Sequence, residues 1–462
     1  MKAKEYARGA RPGLPLPRTA TAILVLLAFA AAGYCPPALA QGMDLSGFLT
    51  TRYRLRATAN ARDQDLYQYL GLDLGNPLSS KVSAHLLTRG TVDLDGHQNE
   101  RGYYVFDSIT DTYDSQYNGR IYYAYADVNR IPGMEVVRLG RQLIYDAPVV
   151  LYLDGARAET AENKDLMGLK FGAYGGLPVH LYEPDPEGNA MYGALAQLRP
   201  WPGAKVRLDW THADNKYLYG AENDDFYGLG WWQTVNERCR FNVNYTRLED
   251  KDRDLRAGAV YYNPAKDVLI QVRYYELLEP QKIYAIDFDP FYAPLGEYAP
   301  YWQVSALIYK GLGDKYGVEA GVDGRKLKEA NDESKFNHEF LHYYVTLLLN
   351  NAAREGWQAS VTGEVWDSYT NEDLVQTYGA DLTYKSPKKM KFSVGTDYSL
   401  YKFDFYLDTE QEQVRTYYAR LRYSLTDNFK ADLQYRYEDG EFDDFNWLEI
   451  GATYEFGKSN EK

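Results

Sequence analysis

The chain is short of the residues that staple or tether small folds: its 462 residues hold two cysteines. Cys35 falls in an N-terminal leader, so a processed chain keeps only Cys239, which excludes an intrachain disulfide. No C-x-x-C-H is present to attach haem covalently. Long apolar runs are also missing, and beyond residue 40 no stretch could cross a bilayer as a helix of about 20 residues. There is no G-x-S-x-G elbow, no G-x-x-x-x-G-K-[ST] phosphate loop and no repeat of about 40–50 residues, which removes the linear signatures of serine hydrolases, nucleotide-binding enzymes and propellers. Positive charge is outnumbered, with 51 Lys and Arg against 65 Asp and Glu and a net charge of −14, so no nucleic-acid partner is expected. The composition, 25% charged and 45% hydrophobic, is nevertheless that of a folded chain.

The first forty residues read as an export leader. Lys2, Lys4, Arg8, Arg11 and Arg18 precede an apolar run from Thr21 to Ala32, and Ala38-Leu39-Ala40 supplies the small residues of a cleavage site. Pro36-Pro37 ends any helix before it reaches spanning length. Tyr34 stands where a lipoprotein signal wants a small residue, so Cys35 is not read as a lipid anchor. The expected organisation is a cleaved signal peptide over 1–40 and a single domain over 41–462. Loss of the leader, with its five basic residues and Glu5, deepens the balance to −18.

The mature region is full of segments about ten residues long that alternate apolar and polar, as strands do when successive side chains point to opposite faces. Leu45, Leu49, Tyr53 and Leu55 share one parity and Arg52, Arg54 and Arg56 the other. The same pattern recurs in Val82, Ala84, Leu86, Val92 and Leu94, and again in Phe429, Ala431, Leu433, Tyr435 and Tyr437. Connections alternate as well. Tight ones (Gly75–Leu78, Arg199–Gly203, Asn263–Asp267, Gly311–Asp314, Lys385–Pro387, Leu425–Asn428) are built from turn formers. Between them lie long acidic, tyrosine-rich ones, such as Asp95–Asn118, Leu278–Tyr298 and Phe403–Glu412.

Export, the lack of membrane helices and strands joined by turns at one end and loops at the other predict an all-β transmembrane antiparallel up-and-down barrel of about 18–22 strands, with apolar parity toward lipid and short periplasmic turns. Aromatic doublets such as Trp231-Trp232, Tyr274-Tyr275, Tyr343-Tyr344 and Tyr417-Tyr418 suggest girdles at the membrane interfaces.

Glu449-Ile450-Gly451-Ala452-Thr453-Tyr454-Glu455-Phe456 resembles the C-terminal assembly signal of bacterial outer-membrane barrels, although Gly457–Lys462 follow the Phe here. A second stretch, Leu139-Gly140-Arg141-Gln142 followed by Leu153-Asp154-Gly155-Ala156-Arg157, is similar to outer-membrane porins, weakly to the alginate-export-like group. That resemblance implies a third-loop constriction near Gln142–Tyr152, with Arg141 and Arg157 close to a pore.

The parity opposite the apolar one then lists candidate pore-lining groups: Arg52, Arg54, Arg56, Arg89, Arg138, Arg207, Arg273, Arg420, Arg422 and Arg436, joined by Arg141, Gln142 and Arg157 from the resemblance. Lys205, Arg240, Arg256, Lys391 and Lys430 share the pattern. Closure sets the first strand beside the last, so Arg52, Arg54 and Arg56 would face Arg420, Arg422 and Arg436 as a basic wall suited to anions. Alternatively, lumen acids such as Asp209, Asp323, Glu364, Asp381, Asp432 and Glu449 pair with these arginines and only stiffen the wall.

The expected function is therefore an outer-membrane channel for small polar, anionic solutes. It would contact outer-membrane lipid and lipopolysaccharide, with a homo-oligomer or a periplasmic or cytochrome partner open, and with no cofactor or resident metal. One rival is a hydrolase. His338-Glu339-Phe340-Leu341-His342 matches H-E-x-x-H, which on a helix gathers two zinc ligands and a base, but in a strand the histidines stand about 13 Å apart. The other rival is a barrel that sheathes an electron-carrying cytochrome.

Overall fold

The computed structural model describes residues 45–59, 62–76, 79–95, 116–129, 131–145, 151–179, 189–215, 222–279, 299–329, 338–368, 374–386, 389–400, 402–404, 409–411, 413–440 and 444–457. The leader expected over 1–40 lies outside them, as do residues 146–150 of the expected constriction segment. Among the described residues no helix is long and apolar enough to cross a membrane.

The strands run in chain order β1 Leu45–Ala57, β2 Arg62–Leu74, β3 Val82–Asp93, β4 Tyr117–Val128, β5 Met134–Ile144, β6 Leu151–Thr160, β7 Lys170–Val179 and β8 Ala190–Leu198. They continue with β9 Ala204–Asn215, β10 Glu222–Asn236, β11 Cys239–Leu248, β12 Lys251–Asn263, β13 Val268–Leu277, β14 Tyr301–Leu312, β15 Tyr316–Leu327 and β16 Phe340–Asn350. After β17 Trp357–Ser368, β18 Leu374–Lys385 and β19 Met390–Ser399, a small separate hairpin, β20 Lys402–Asp404 and β21 Thr409–Gln411, precedes β22 Val414–Ser424, β23 Phe429–Asp439 and β24 Phe445–Phe456.

All strands except the hairpin form one 22-stranded antiparallel sheet in which each pairs with its sequence neighbours. β1 closes onto β24 in continuous register from Gly47 opposite Phe456 to Ala57 opposite Asn446. Closure leaves no unpaired edge, the condition for a sheet in hydrocarbon.

The count is the upper end of the expected range. The segments around Gly155 and Gly172, which could have been merged, are separate strands β6 and β7. They are joined by a turn with a short 3₁₀ segment, Lys164–Leu166, whose Asn163 side chain accepts from the Asp165 N–H. All six tight connections named from the sequence fall at one end of the barrel, and the three long ones fall at the other. Two connections at the loop end, 58–61 and 249–250, are short as well, so the asymmetry is a tendency of the loop end.

The two faces differ in kind. One parity presents Leu208, Ile308, Leu347, Val361 and Leu433, all between 40 and 59% exposed, as an apolar exterior. The other collects the ion pairs. Contacts that skip a strand identify it as the concave, inner face: the Tyr174 hydroxyl meets Thr211 Oγ1 at 2.5 Å across Gly193, and the Tyr418 hydroxyl donates to Asp381 at 2.8 Å across Gly395. Barrel strands of 9–15 residues at the usual tilt carry a band of about 25 Å, the height of an outer-membrane hydrocarbon layer.

The wall is tight where β5, β6 and β7 pass Gly140, Gly155 and Gly176, which lie opposite one another in register. Gly140 holds φ +116, a conformation closed to side chains. A Cβ on Gly155 would meet the Gly176 Cα at 2.8 Å. Over this row sits a buried inner cluster that includes Ile144, Leu153, Tyr174 and Met191. Gly155→Val is expected to destabilise the barrel by about 1–3 kcal/mol through overpacking. The midpoint of heat-induced band shift in detergent electrophoresis measures it.

Candidate pore lining

The inner-face arginines are set by pairing register. Three rows cross the closure seam: Arg52 opposite Gly451, then Asp432 and Arg422; Arg54 opposite Glu449, then Gln434 and Arg420; Arg56 opposite Trp447, then Arg436 and Tyr418. The β1 arginines thus lie across β24 from Arg436 on β23 and from Arg420 and Arg422 on β22, and the charge balance of these rows can be read side chain by side chain.

Arg52 Nη1 and Arg54 Nη2 donate to the two oxygens of Glu449, at 3.2 and 3.3 Å, so one carboxylate serves two cations. Arg56 is buried between acids, donating to Asp63 from Nε at 2.7 Å and reaching Asp65 at 3.3 Å. Arg436 Nε lies 2.8 Å from Glu438. Among the described residues Arg89, Arg420 and Arg422 have no carboxylate in ion-pair range. Aromatic faces hold two of them instead: Arg89 lies 5.6 and 5.5 Å from the Tyr67 and Tyr122 rings, and Arg420 lies 4.6 Å from Tyr418. Arg54 is likewise flanked by Tyr67 at 4.6 Å and Trp447 at 6.0 Å. A guanidinium over a ring stays cationic and keeps donors free for a solute.

Elsewhere the same residue type is neutralised. Arg138 makes a two-point pair with Asp127 at 2.7 and 3.0 Å over the Tyr125 ring. Arg157 Nε donates to Glu159 at 2.6 Å, and Arg207 holds Asp209 at 2.6 and 2.8 Å. Arg273 is met by the Gln271 amide, whose oxygen, in the orientation that satisfies both groups, accepts from Nε and Nη2 at 2.7 Å. Both readings of the arginines therefore apply: Arg138, Arg157 and Arg207, and near the seam Arg56 and Arg436, are paired with carboxylates, whereas Arg89, Arg420 and Arg422 have none in range among the described residues.

Two residues taken from the resemblance sit differently from what it implies. Arg141 is opposite Asp154 and Ala124 and shares the outward parity of Leu139. It makes a two-point pair with Asp154 at 2.7 and 2.6 Å and donates from Nη1 to the Ile121 carbonyl at 3.1 Å. β4 and β5 share only four register pairs, Ala124–Asp127 with Arg138–Arg141, so this guanidinium satisfies a carbonyl near the end of their ladder. Arg141 is a wall staple and does not face the lumen. Gln142 does point inward but is fully buried, its Nε2 3.4 Å from the Gly155 carbonyl. The stretch from Leu139 to Arg157 therefore builds a tight piece of wall.

Of the H-E-x-x-H segment, Phe340, Leu341 and His342 open strand β16, and His338 and Glu339 precede it. His342 lies on the inner face, 2.9 Å from Glu364 and stacked on Trp366 with centroids 3.8 Å apart. Glu339, of opposite parity, accepts from the Leu327 N–H at 3.0 Å. No group of three metal-binding side chains occurs among the described residues.

The aromatic doublets also need correction as girdle residues. Within a strand, neighbours point apart. Tyr343 and Tyr417, 49 and 44% exposed, belong to the outer parity, and Tyr344 and Tyr418 to the lumen. The inner rings are the arginine supports, a role visible in the sequence as aromatics on the polar parity.

Just beyond β3, Asp95 accepts from the Gln64 N–H at 2.9 Å, and burial pushes its carboxyl up to about 6. The folded protein then holds a proton between about pH 4 and 6 that the unfolded chain releases near 3.8, so this carboxyl's contribution to stability falls as pH rises through that window. Asp95→Asn keeps an acceptor for Gln64 and removes the titration. The stability of the wild type relative to the variant is expected to decline between pH 4 and 7, as read by band-shift midpoints.

A closed antiparallel barrel with an apolar exterior, a charged interior and its terminal strands paired has the architecture of outer-membrane porins, and the chain is a bacterial outer-membrane β-barrel. No family model matches the sequence, and no curated protein matches it. Among solved structures it is similar to OccK3 (OpdO) of Pseudomonas aeruginosa, at 12% identity and TM-score 0.43 over 89% of this chain and 96% of that one. It is also similar to OccK11 (OpdR) of the same organism, at 11% identity and TM-score 0.44 over 90 and 96%, and to the outer membrane protein OpdK of that organism, at 12% identity and TM-score 0.43 over 89 and 98%.

Proposed function

We propose that the barrel is a porin that passes small polar solutes across the outer membrane with a preference for anions. Its lumen would be lined by Arg52, Arg54, Arg89, Arg420, Arg422 and Arg436 at the seam and by Arg138, Arg157, Arg207 and Arg273 elsewhere, with residues 1–40 acting as a removable export leader. The observation that carries this reading is the set of ring-supported arginines at the seam that lack carboxylate partners among the described residues. A fixed cationic wall raises the local concentration of anions and excludes cations, and guanidinium groups exchange carboxylates between successive donors. The exterior would contact lipid and the phosphates of lipopolysaccharide.

Planar-bilayer recording of the purified chain tests the reading. Discrete conductance with a zero-current potential displaced toward chloride in a KCl gradient is the expected result. A silent barrel that co-purifies with haem would replace this reading with the cytochrome sheath.

A further inference from the structure

Away from the seam, the inner face of β13–β16 carries a recess of about 250 Å³ whose chemistry differs from that of the arginine rows. Pairing register brings Arg273, Ser305, Asp323 and His342 into one row, and the row below it supplies Gln271 and Tyr344. Ser305, Asp323 and His342 lie in the loop halves of their strands. The hollow is smaller than the about 300–1,000 Å³ of sites that enclose drug-sized ligands, so it has room for one small ring.

The row holds one cation and one anion, and neutral groups meet each of them. Arg273 donates from Nε and Nη2 to the Gln271 amide oxygen at 2.7 Å. Asp323 accepts from Gln303 Nε2 at 3.0 Å and from the Ser305 hydroxyl at 2.9 Å. A carboxylate has about four acceptor positions, so Asp323 keeps capacity for a further donor. A solute with net charge of either sign meets a like charge in this row, whereas hydroxyl groups, which donate and accept, match both ends of it.

The other side of the recess is aromatic. A side chain at Gly321 would collide with the Tyr344 ring, so that ring lies over the bare backbone of β15, and its hydroxyl is tied to Glu319. The His342 ring is within 25° of it at a centroid distance of 5.5 Å. Trp366, which does not line the recess, stacks on His342 at 3.8 Å and 16°, while Glu364 holds the His342 Nε2 at 2.9 Å. The imidazole is thus fixed from behind and offers the hollow a supported ring. Two near-parallel rings beside mixed donors and acceptors suit a ligand that has an apolar face and a rim of hydroxyls.

We infer that this recess binds one pyranose ring of a neutral saccharide. The C–H face of the sugar packs against His342 and Tyr344, and its hydroxyls donate to Asp323 and exchange hydrogen bonds with Ser305 and the Gln271 amide. The inference goes beyond the anion reading, because it gives the lumen a station for an uncharged solute that the arginine rows do not select. Its position in the loop half makes it an early contact for a sugar arriving from outside, a role that rests on the porin reading, whereas the binding itself does not.

Equilibrium dialysis of the full chain in an amine-oxide detergent, which carries no sugar, tests it, with glucose, maltose, sorbitol, glucuronate and methylguanidinium as probes. Glucose or maltose is expected to bind about tenfold tighter than sorbitol, an open-chain polyol without a flat face, and at least as tightly as the two charged probes. His342→Ala removes the ring and Asp323→Ala the acceptor, and each is expected to lose about tenfold in sugar affinity. His342→Phe keeps a ring and Asp323→Asn an acceptor, so each should lose less than about threefold, with the heat-induced band shift reporting that every variant is folded. The probe series on the unmodified chain decides the matter even where an alanine variant does not fold. Equal binding of sorbitol and both sugars, tighter binding of glucuronate or methylguanidinium than of either sugar, or wild-type affinity in folded alanine variants overturns the inference. Sugar binding by a barrel that conducts no ions would leave the site standing and remove the porin role, whereas an open anion-selective channel that binds no sugar removes the site alone.

Discussion

Replacing Arg54, Arg420 and Arg422 by glutamine together is expected to carry the zero-current potential in a KCl gradient most of the way to that of an unselective pore. Arg420 and Arg422 have no carboxylate partner among the described residues, and Arg54 shares Glu449 with Arg52, so removing the three leaves that acid facing one cation. A unit charge acts on an ion 10 Å away with about 0.4 kcal/mol in water, so three contribute about 1.2 kcal/mol, or close to tenfold in the anion occupancy of the wall. At about 0.1 M salt the Debye length of about 10 Å trims this to a several-fold change, and at 1 M, with a length near 3 Å, the effect should nearly vanish. Selectivity unchanged at low salt would return these arginines to a purely structural role. The matched control is Arg138→Gln with Asp127→Asn, a neutral replacement of an internally balanced pair, which should leave selectivity where it was.

The division between compensated and under-compensated arginines follows from strand geometry. On β9 and β12, Arg207 and Arg256 each lie two residues from an acid of the same parity, Asp209 and Asp254, so each of these pairs closes within one strand. β22 has no such acid: Arg420 lies two residues from Arg422 on one side and from Tyr418 on the other, and Tyr418 supplies it a ring in place of a charge. Sequence spacing thus shows the pairs that close within one strand, once parity is known, whereas Arg138 with Asp127 needs the register between strands.

Much of the architecture was legible because the period-two pattern and the turn chemistry act over a few residues. Gly203, Asp267 and Gly313 hold positive φ in tight connections whose composition announced them. The turn between β6 and β7 was harder to see because Met167, a residue with no turn preference, occupies the left-handed region ahead of Gly168. The orientation of Arg141 was not legible, because a glycine with φ +116 precedes it, and only the continuous register with Asp154 and Ala124 shows that parity survives. H-E-x-x-H shows the converse case, in which five residues match a motif whose chemistry needs a helix while the surrounding Tyr, Val and Thr impose a strand.

Placing an arginine at Leu347 is expected to cost about 2–4 kcal/mol of barrel stability, the penalty for a cation at the bilayer midplane. Leu347 lies opposite Val361 on the outer parity, both more than half exposed, and within the span of β16 and β17. Leu312 is also outward and 51% exposed but ends β14 at the turn, where the penalty should fall to about 0–1 kcal/mol. Thr346, one residue from Leu347, points inward and meets Thr362 at 2.8 Å, so Thr346→Arg gives up a hydrogen bond worth about 1 kcal/mol in a wet lumen. Urea titration of the barrel folded into vesicles, read by tryptophan fluorescence, should therefore rank Leu347→Arg well below Leu312→Arg and Thr346→Arg. A dry protein core would penalise Leu347→Arg and Leu312→Arg alike, without regard to distance from the turn. Dependence on height along one face, absent on the other, is the mark of a hydrocarbon slab around a water-filled interior, and equal penalties at Leu347 and Leu312 would remove the membrane from the interpretation altogether.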